Sequence, residues 1–302
     1  MTQQPAPPAP IAAALAEALA DKDLLFVASE EGRAEQVAAI LAAFAPDASV
    51  LHLPSSDALP GEDAPASLAN IGARVAALRG VRAAREKGVR VALVTTAEAT
   101  AMRYAAPSAF DAAPPGFSVG DPFDLEGIPA LAADLGYVED DRVDEPGEIA
   151  VRGAVVDAFP VDSARPVRIE AEEGRVVSIR RYDPVTQLAV EELDHVEIGR
   201  ASEPEAAGGV PLTDHLPDAA VALDADAGRR RDRFLRLSEE ALKGRTRDPD
   251  PLVGADEWRA AMTARERIDL AMEDAPEPPP RFAESRDPAR AFRRWSKEAL
   301  EG

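Results

Sequence analysis

The sequence contains no cysteine, which excludes both disulfides and thiolate metal sites. Neither the proline-rich start nor any later run supplies the ~20 apolar residues that a membrane span needs, so the cytoplasm is the expected location. Only three histidines occur. His52, His195 and His215 lie far apart with no close metal-ligand spacing, so each reads as an ordinary surface or core residue and no metal is assigned. Basic residues are scarce: 34 Lys and Arg face 55 Asp and Glu, a net charge of −21. Such a chain repels phosphate backbones, and autonomous DNA binding is not expected. The one basic strip is Arg229, Arg230, Arg231, Arg233 and Arg236. On a helix, Arg229, Arg233 and Arg236 fall along one side and Glu239 and Glu240 follow, the pattern of a solvated amphipathic face.

Catalytic signatures are missing too. No Gly-Lys-Ser/Thr occurs, and the loop where a phosphate cradle would sit reads Ser29-Glu30-Glu31-Gly32-Arg33, whose two carboxylates oppose a triphosphate. Gly-x-Gly-x-x-Gly is likewise missing, which argues against a Rossmann dinucleotide turn. The acidic run Glu139, Asp140, Asp141, Asp144 and Glu145 reads as a solvated loop, because acid–base chemistry needs two carboxyls in unlike environments. No catalytic residue and no cofactor is assigned.

What is present is a chain of 302 residues, 46% hydrophobic, with ample material for a core. Residues 1–10 read as a disordered Pro/Ala/Gln leader. Residues 11–114 then alternate helical and apolar runs: helix 11–20, strand 24–28, helix 31–44, strand 50–53, helix 67–86 and strand 89–95. This alternation predicts a parallel sheet with flanking helices, the first segment of an α/β lobe. A Pro/Gly-rich linker at 112–120 leads into an α+β unit at residues 115–200, with a helix expected over 124–135 capped by Asp124. Residues 201–280 return to the α/β theme with a strand at 219–223, a helix at 225–242 and another at 258–272. This second segment is expected to complete the first. A proline run at 276–280 leads to residues 281–302, read as a C-terminal helix or the entry to a further domain.

The most informative stretch is residues 147–183. Val167, Ile169 and Ala171 share one face of a strand while Arg168, Glu170 and Glu172 share the other, which predicts a sheet with one wet side. Gly153 suits a tight turn or bulge, Pro160 ends a strand, and a turn at Glu173 and Gly174 precedes a third run, 176–182. A fourth strand is expected over 188–198. Arg152 and Arg168 then present two guanidinium forks on the outer face, suited to bidentate pairing with carboxylates of another protein. The residues alone equally allow both arginines to pair with acids of their own sheet, such as Glu170 or Glu172. Arg180 and Arg181 extend the basic face or guard an edge.

Gly147, Glu148, Arg152, Gly153, Asp157, Phe159, Pro160, Arg168, Gly174, Ile179 and Asp183 together resemble the UvrA-binding domain shared by UvrB and the transcription-repair coupling factor. The likeness extends weakly over most of residues 20–280. It implies an α/β degenerate helicase-like lobe with an inserted α+β, antiparallel-sheet UvrA-interaction domain. It implies a non-catalytic module that recruits UvrA in nucleotide-excision repair through Arg152 and Arg168. The chain is then the front part of a coupling factor or a truncated paralogue, with RNA polymerase binding and ATP-driven translocation residing in sequence outside it. One departure stands out: where the family carries an aromatic residue a few positions after the second arginine, this chain has Ala171 and Glu172. The alternatives are a small α/β nucleotide-binding enzyme with its site at the strand ends, and an acidic scaffold for another partner.

Overall fold

A computed structural model describes residues 7–61, 64–204, 208–245, 250–270 and Arg290. The first helix, α1 (Pro8–Leu19), matches the helix expected over 11–20 but begins three residues inside the stretch read as a leader. Pro8 takes the first helical position, where a missing amide hydrogen costs nothing, and Ile11, Leu15 and Leu19 recur at helical spacing on a buried face. Then come β1 (Leu24–Ala28), α2 (Glu31–Phe44), β2 (Ser49–Leu53), α3 (Leu68–Glu86) and β3 (Val91–Thr96). Ser67 caps α3, its hydroxyl accepting the Asn70 amide at 3.2 Å. Strands β1 and β3 are buried along their whole length, as central strands of a parallel sheet must be.

A short helix α4 (Ala97–Thr100) and strand β4 (Arg103–Tyr104) lead into the second unit. Its elements are β5 (Gly116–Ser118), α5 (Ile128–Leu135), β6 (Val138–Glu139), β7 (Glu148–Arg152), β8 (Val155–Ala158), β9 (Val167–Glu172), β10 (Arg175–Tyr182), β11 (Ala189–Leu193) and β12 (His195–Glu197). Six of them form one sheet in the order β11-β10-β9-β8-β7-β6, antiparallel except for β6 against β7. Two tight turns set its register. Gly153 at φ 58° starts the two-residue link from β7 to β8, and Glu173 and Gly174 at φ 50° and 74° close the β9–β10 hairpin. The single left-handed Gly153 and the left-handed pair Glu173-Gly174 both match the twist of antiparallel strands.

Two expectations are corrected here. The helix expected from residue 124 begins at Ile128, with Gly127 before it and Pro129 in its first turn; the Asp124 carboxylate instead accepts the Gly127 amide at 3.2 Å in the preceding turn. The strand expected over 188–198 divides at Asp194, whose carbonyl accepts from Val119, so that β11 stays in the large sheet while β12 pairs with β5.

The chain then returns through β13 (Val210–Pro211), β14 (Ala220–Leu223), α6 (Ala227–Ala241) and α7 (Ala255–Thr263). Strand β14 lies parallel beside β1, Leu24 facing Ala220, and completes a four-stranded sheet ordered β14-β1-β3-β2. One face carries α1 and α2, the other α3 and α7. The helix expected over 258–272 stops at Thr263. Thr263 and Arg265 donate to the carbonyls of Arg259 and Ala261, satisfying the last turn with side chains, and residues 266–268 then bond the edge of β14 through Val221. The proline run and, apart from Arg290, the C-terminal helix read at residues 281–302 lie outside the described residues.

The second unit is held close against α3. A Cβ added to Gly72 would lie 2.2 Å from that of Val161, and Arg74 reaches Glu203 at 2.6 Å and Asn70 at 2.6 Å. No helix among the described residues is long and apolar enough to cross a membrane.

His215 is 2% exposed, edge-on to Tyr104 and Phe110. Its Nε2 donates to the Ala105 carbonyl at 3.1 Å, while its buried Nδ1 has no partner to receive a second proton. Burial therefore lowers its pKa from 6.5 to about 4, with the nearby Arg82 opposing the charge as well. The folded state resists a proton that the unfolded chain accepts, so stability is complete above the unfolded pKa and falls as pH drops from 6.5 toward 4. Between pH 7 and pH 5 the loss amounts to about 2 kcal/mol, and His215→Gln should remove most of that slope in urea denaturation.

Candidate protein-interaction site

The outer face of the six-stranded sheet carries every candidate docking residue except Arg181. Register decides this. Arg168 of β9 lies opposite Asp157 of β8 and opposite Arg180 of β10, and Glu170 lies opposite Val155, itself opposite Arg152 of β7. Arg152, Arg168, Glu170, Glu172 and Arg180 therefore share one side. Arg181, next to Arg180 on the strand, points to the other side, where it pairs with Glu191 at 2.6 Å. It does not extend the basic face.

The centre of the face is the Asp157 carboxylate, 3% exposed. Arg168 grips it bidentately, Nε donating to Oδ1 at 2.6 Å and Nη2 to Oδ2 at 2.8 Å, and its guanidinium lies over the Tyr182 ring at 4.9 Å. The hydrogen bonds to Asp157 raise the pKa of Arg168 further, so its charge is permanent. Arg152 approaches the same carboxylate only at 3.5 Å and keeps 52% of its side chain in water, against 27% for Arg168. Arg180 pairs with Glu170. The two arginines thus differ: Arg168 is a fixed post, whereas Arg152 has donors to offer.

The in-sheet partner is Asp157, not Glu170 or Glu172. An eight-residue link joins β8 to β9, and only its conformation sets which outward residues meet, so pairwise register was not readable from alternation. The face is also less wet than alternation implies. Val143, from the acidic 139–145 loop, folds over it with Ala150 and Phe159, and its carbonyl accepts the Tyr182 hydroxyl at 3.3 Å. Glu172 stands exposed at the end of β9, while Ala171 points into the core with Ile169 and Val176. Of the two residues replacing an aromatic anchor, only Glu172 can meet a partner.

A second polar cluster closes the corner of the parallel sheet. Asp224, at the end of β14, is 7% exposed and accepts from the Ser29 amide and hydroxyl, each at 3.1 Å, and from Arg33 at 2.5 Å and 3.1 Å. The arginine strip on α6 is divided: Arg231 is buried against the Trp258 ring at 4.3 Å, Arg230 bonds the Ser29 carbonyl, and Arg229, Arg233 and Arg236 are exposed. Of the histidines, His195 meets Ser118 at 3.0 Å, and His52 comes to lie against Glu31.

Residues 116–203 match the UvrB interaction domain family. This segment carries a UvrB interaction domain. The chain is also similar to the transcription-repair-coupling factors of Mycobacterium tuberculosis (31% identity over 183 residues, 60% of this chain and 15% of the relative) and Myxococcus xanthus (30% over 227 residues, 72% and 18%). That of Bacillus subtilis is 35% identical over 85 residues, 28% of this chain and 7% of the relative. The chain spans less than a fifth of the length of these relatives. The matched segment begins in β5 and holds the whole six-stranded sheet, so the domain and the arginine-bearing face coincide.

Because Asp157 is buried, removing its main partner strands a charge. Arg168→Ala should cost roughly 2–3 kcal/mol, less than a fully buried pair since water and Arg152 remain nearby. Arg152→Ala should cost under about 1 kcal/mol. Urea denaturation of the two variants beside the parent checks both.

Proposed function

We propose that this chain is a non-catalytic, UvrB-like module that recruits UvrA in nucleotide-excision repair, as part of a transcription-repair coupling factor. The observation that carries the reading is the UvrB interaction domain at residues 116–203, whose outer face presents a half-exposed Arg152 beside an anchored Arg168. A carboxylate on the partner gains charge-assisted hydrogen bonds from Arg152 without displacing an existing strong pair. Arg168, held in place by Asp157, sets where that guanidinium sits. Glu172 replaces an apolar anchor with a charge, which favours a partner surface less apolar at that spot.

The α/β lobe, with its boundaries at residues 11–114 and 201–280, serves in this reading as a degenerate helicase-like support for residues 115–200. Ser29, whose amide sits where a phosphate would be cradled, already donates to Asp224, and Glu31 adds a second acid at the start of α2. A triphosphate there meets two carboxylates and must break a buried ion pair, which disfavours the nucleotide-enzyme alternative. RNA polymerase binding and ATP-driven translocation belong to sequence outside this chain, and the cytoplasm is its place of action.

Two measurements test the proposal. The purified chain should co-elute with UvrA from the same source, and Arg152→Ala should weaken that binding at least about tenfold while leaving urea stability nearly intact. Co-elution indifferent to Arg152 rejects the face. Millimolar ATP should leave the melting temperature unchanged; a rise would reinstate a nucleotide site.

A further inference from the structure

The packing of α2 over the edge strand β2 gathers three side chains that the docking face does not use. Glu31 and Glu35 lie four residues apart on α2 and so project from one side of the helix. His52 lies on β2, and the ligand atoms of all three fall within 4.8 Å of one another. His52 Nε2 is 2.8 Å from Glu31 Oε1, the spacing of an ion pair. A divalent ion can take the place of the proton between them, because neighbouring donors of a tetrahedral zinc site lie about 3.3–3.6 Å apart for metal–donor distances of about 2.0–2.2 Å.

The surroundings suit such a role. The other carboxylate oxygen, Glu31 Oε2, accepts from the Ser55 amide at 3.1 Å and the Ser55 hydroxyl at 2.6 Å. This fixes the carboxyl plane and leaves Oε1 toward His52, as outer-shell hydrogen bonds do for metal ligands. Glu35 is exposed and closes the set from the solvent side, where an ion can enter.

We propose that Glu31, Glu35 and His52 bind a divalent transition-metal ion, zinc being the best match. Two carboxylates balance the charge of the ion, and an imidazole favours a borderline metal over magnesium or calcium, which take oxygen donors only. Three protein donors leave a fourth position to water. The positive end of α2 lies beside Glu31 and opposes a cation, so the site ties β2 to α2 without being required for folding. It stands apart from the UvrA-docking reading, and either can fail alone.

Zinc titrated into the full chain by isothermal calorimetry in a non-chelating buffer should bind with one ion per chain and raise the melting temperature. Glu35→Gln and His52→Ala should each weaken binding at least about tenfold, and His195→Ala should leave it unchanged. Glu35 is exposed, so its variant keeps the fold, as circular dichroism should confirm. Excess magnesium should not displace the zinc. No binding heat, undiminished binding in both variants, an equal loss in His195→Ala, or displacement by magnesium would each overturn the proposal.

Discussion

The charge geometry of the antiparallel face hangs on one buried carboxylate. Asp157 is out of water, and an ionised carboxylate in that position is tolerable only with close, well-aligned donors. Arg168 supplies them from the neighbouring strand and rests on the Tyr182 ring, so one residue pair fixes the relation of β8, β9 and β10. The cost of that arrangement is that Arg168 has little left to give. Arg152, at the turn into β8, touches the same carboxylate loosely and faces water. An arginine pair that looks symmetrical along the chain thus divides into an anchored member and a solvent-facing one.

The same logic recurs in the parallel sheet with a different outcome. Asp224 is buried like Asp157, and its donors come from the loop after β1 and the first turn of α2. In an open α/β sheet that corner is where an anionic ligand meets free amides. Here an internal carboxylate occupies the anion's place and Arg33 neutralises it. The donors of that corner, Ser29 and Arg33, are thus engaged within the protein itself.

Much of the architecture was legible because its signals are local. Helix α2 runs from Glu31 to Phe44, as its pattern of Val37, Ala38 and Leu41 between two apolar strands indicates, and the inward Val167, Ile169 and Ala171 alternate as read. Misreadings fell where side chains compete with backbone pattern. Gly127 and Pro129 shortened α5, Asp194 divided the last strand, and Thr263 with Arg265 ended α7. In the site, the residue types and the outward face of Arg168 could be read, but its pairing with Asp157 could not, since register across a loop is a tertiary property. Arg181 was misplaced because two adjacent strand residues cannot share a side. The meeting of His52 with Glu31 and Glu35 required knowing that α2 covers β2.

The order of strands has a consequence for biogenesis. Strand β1 sits in the interior of its sheet only once β14 arrives, and between β3 and β14 the chain must form an entire second unit. During synthesis the apolar edge of β1, Leu24 to Val27, stays open while that unit emerges and folds, an interval in which an unpaired strand edge invites association with other chains. The two tight hairpins of the inserted unit are local contacts of the kind that form early, which would shorten that interval.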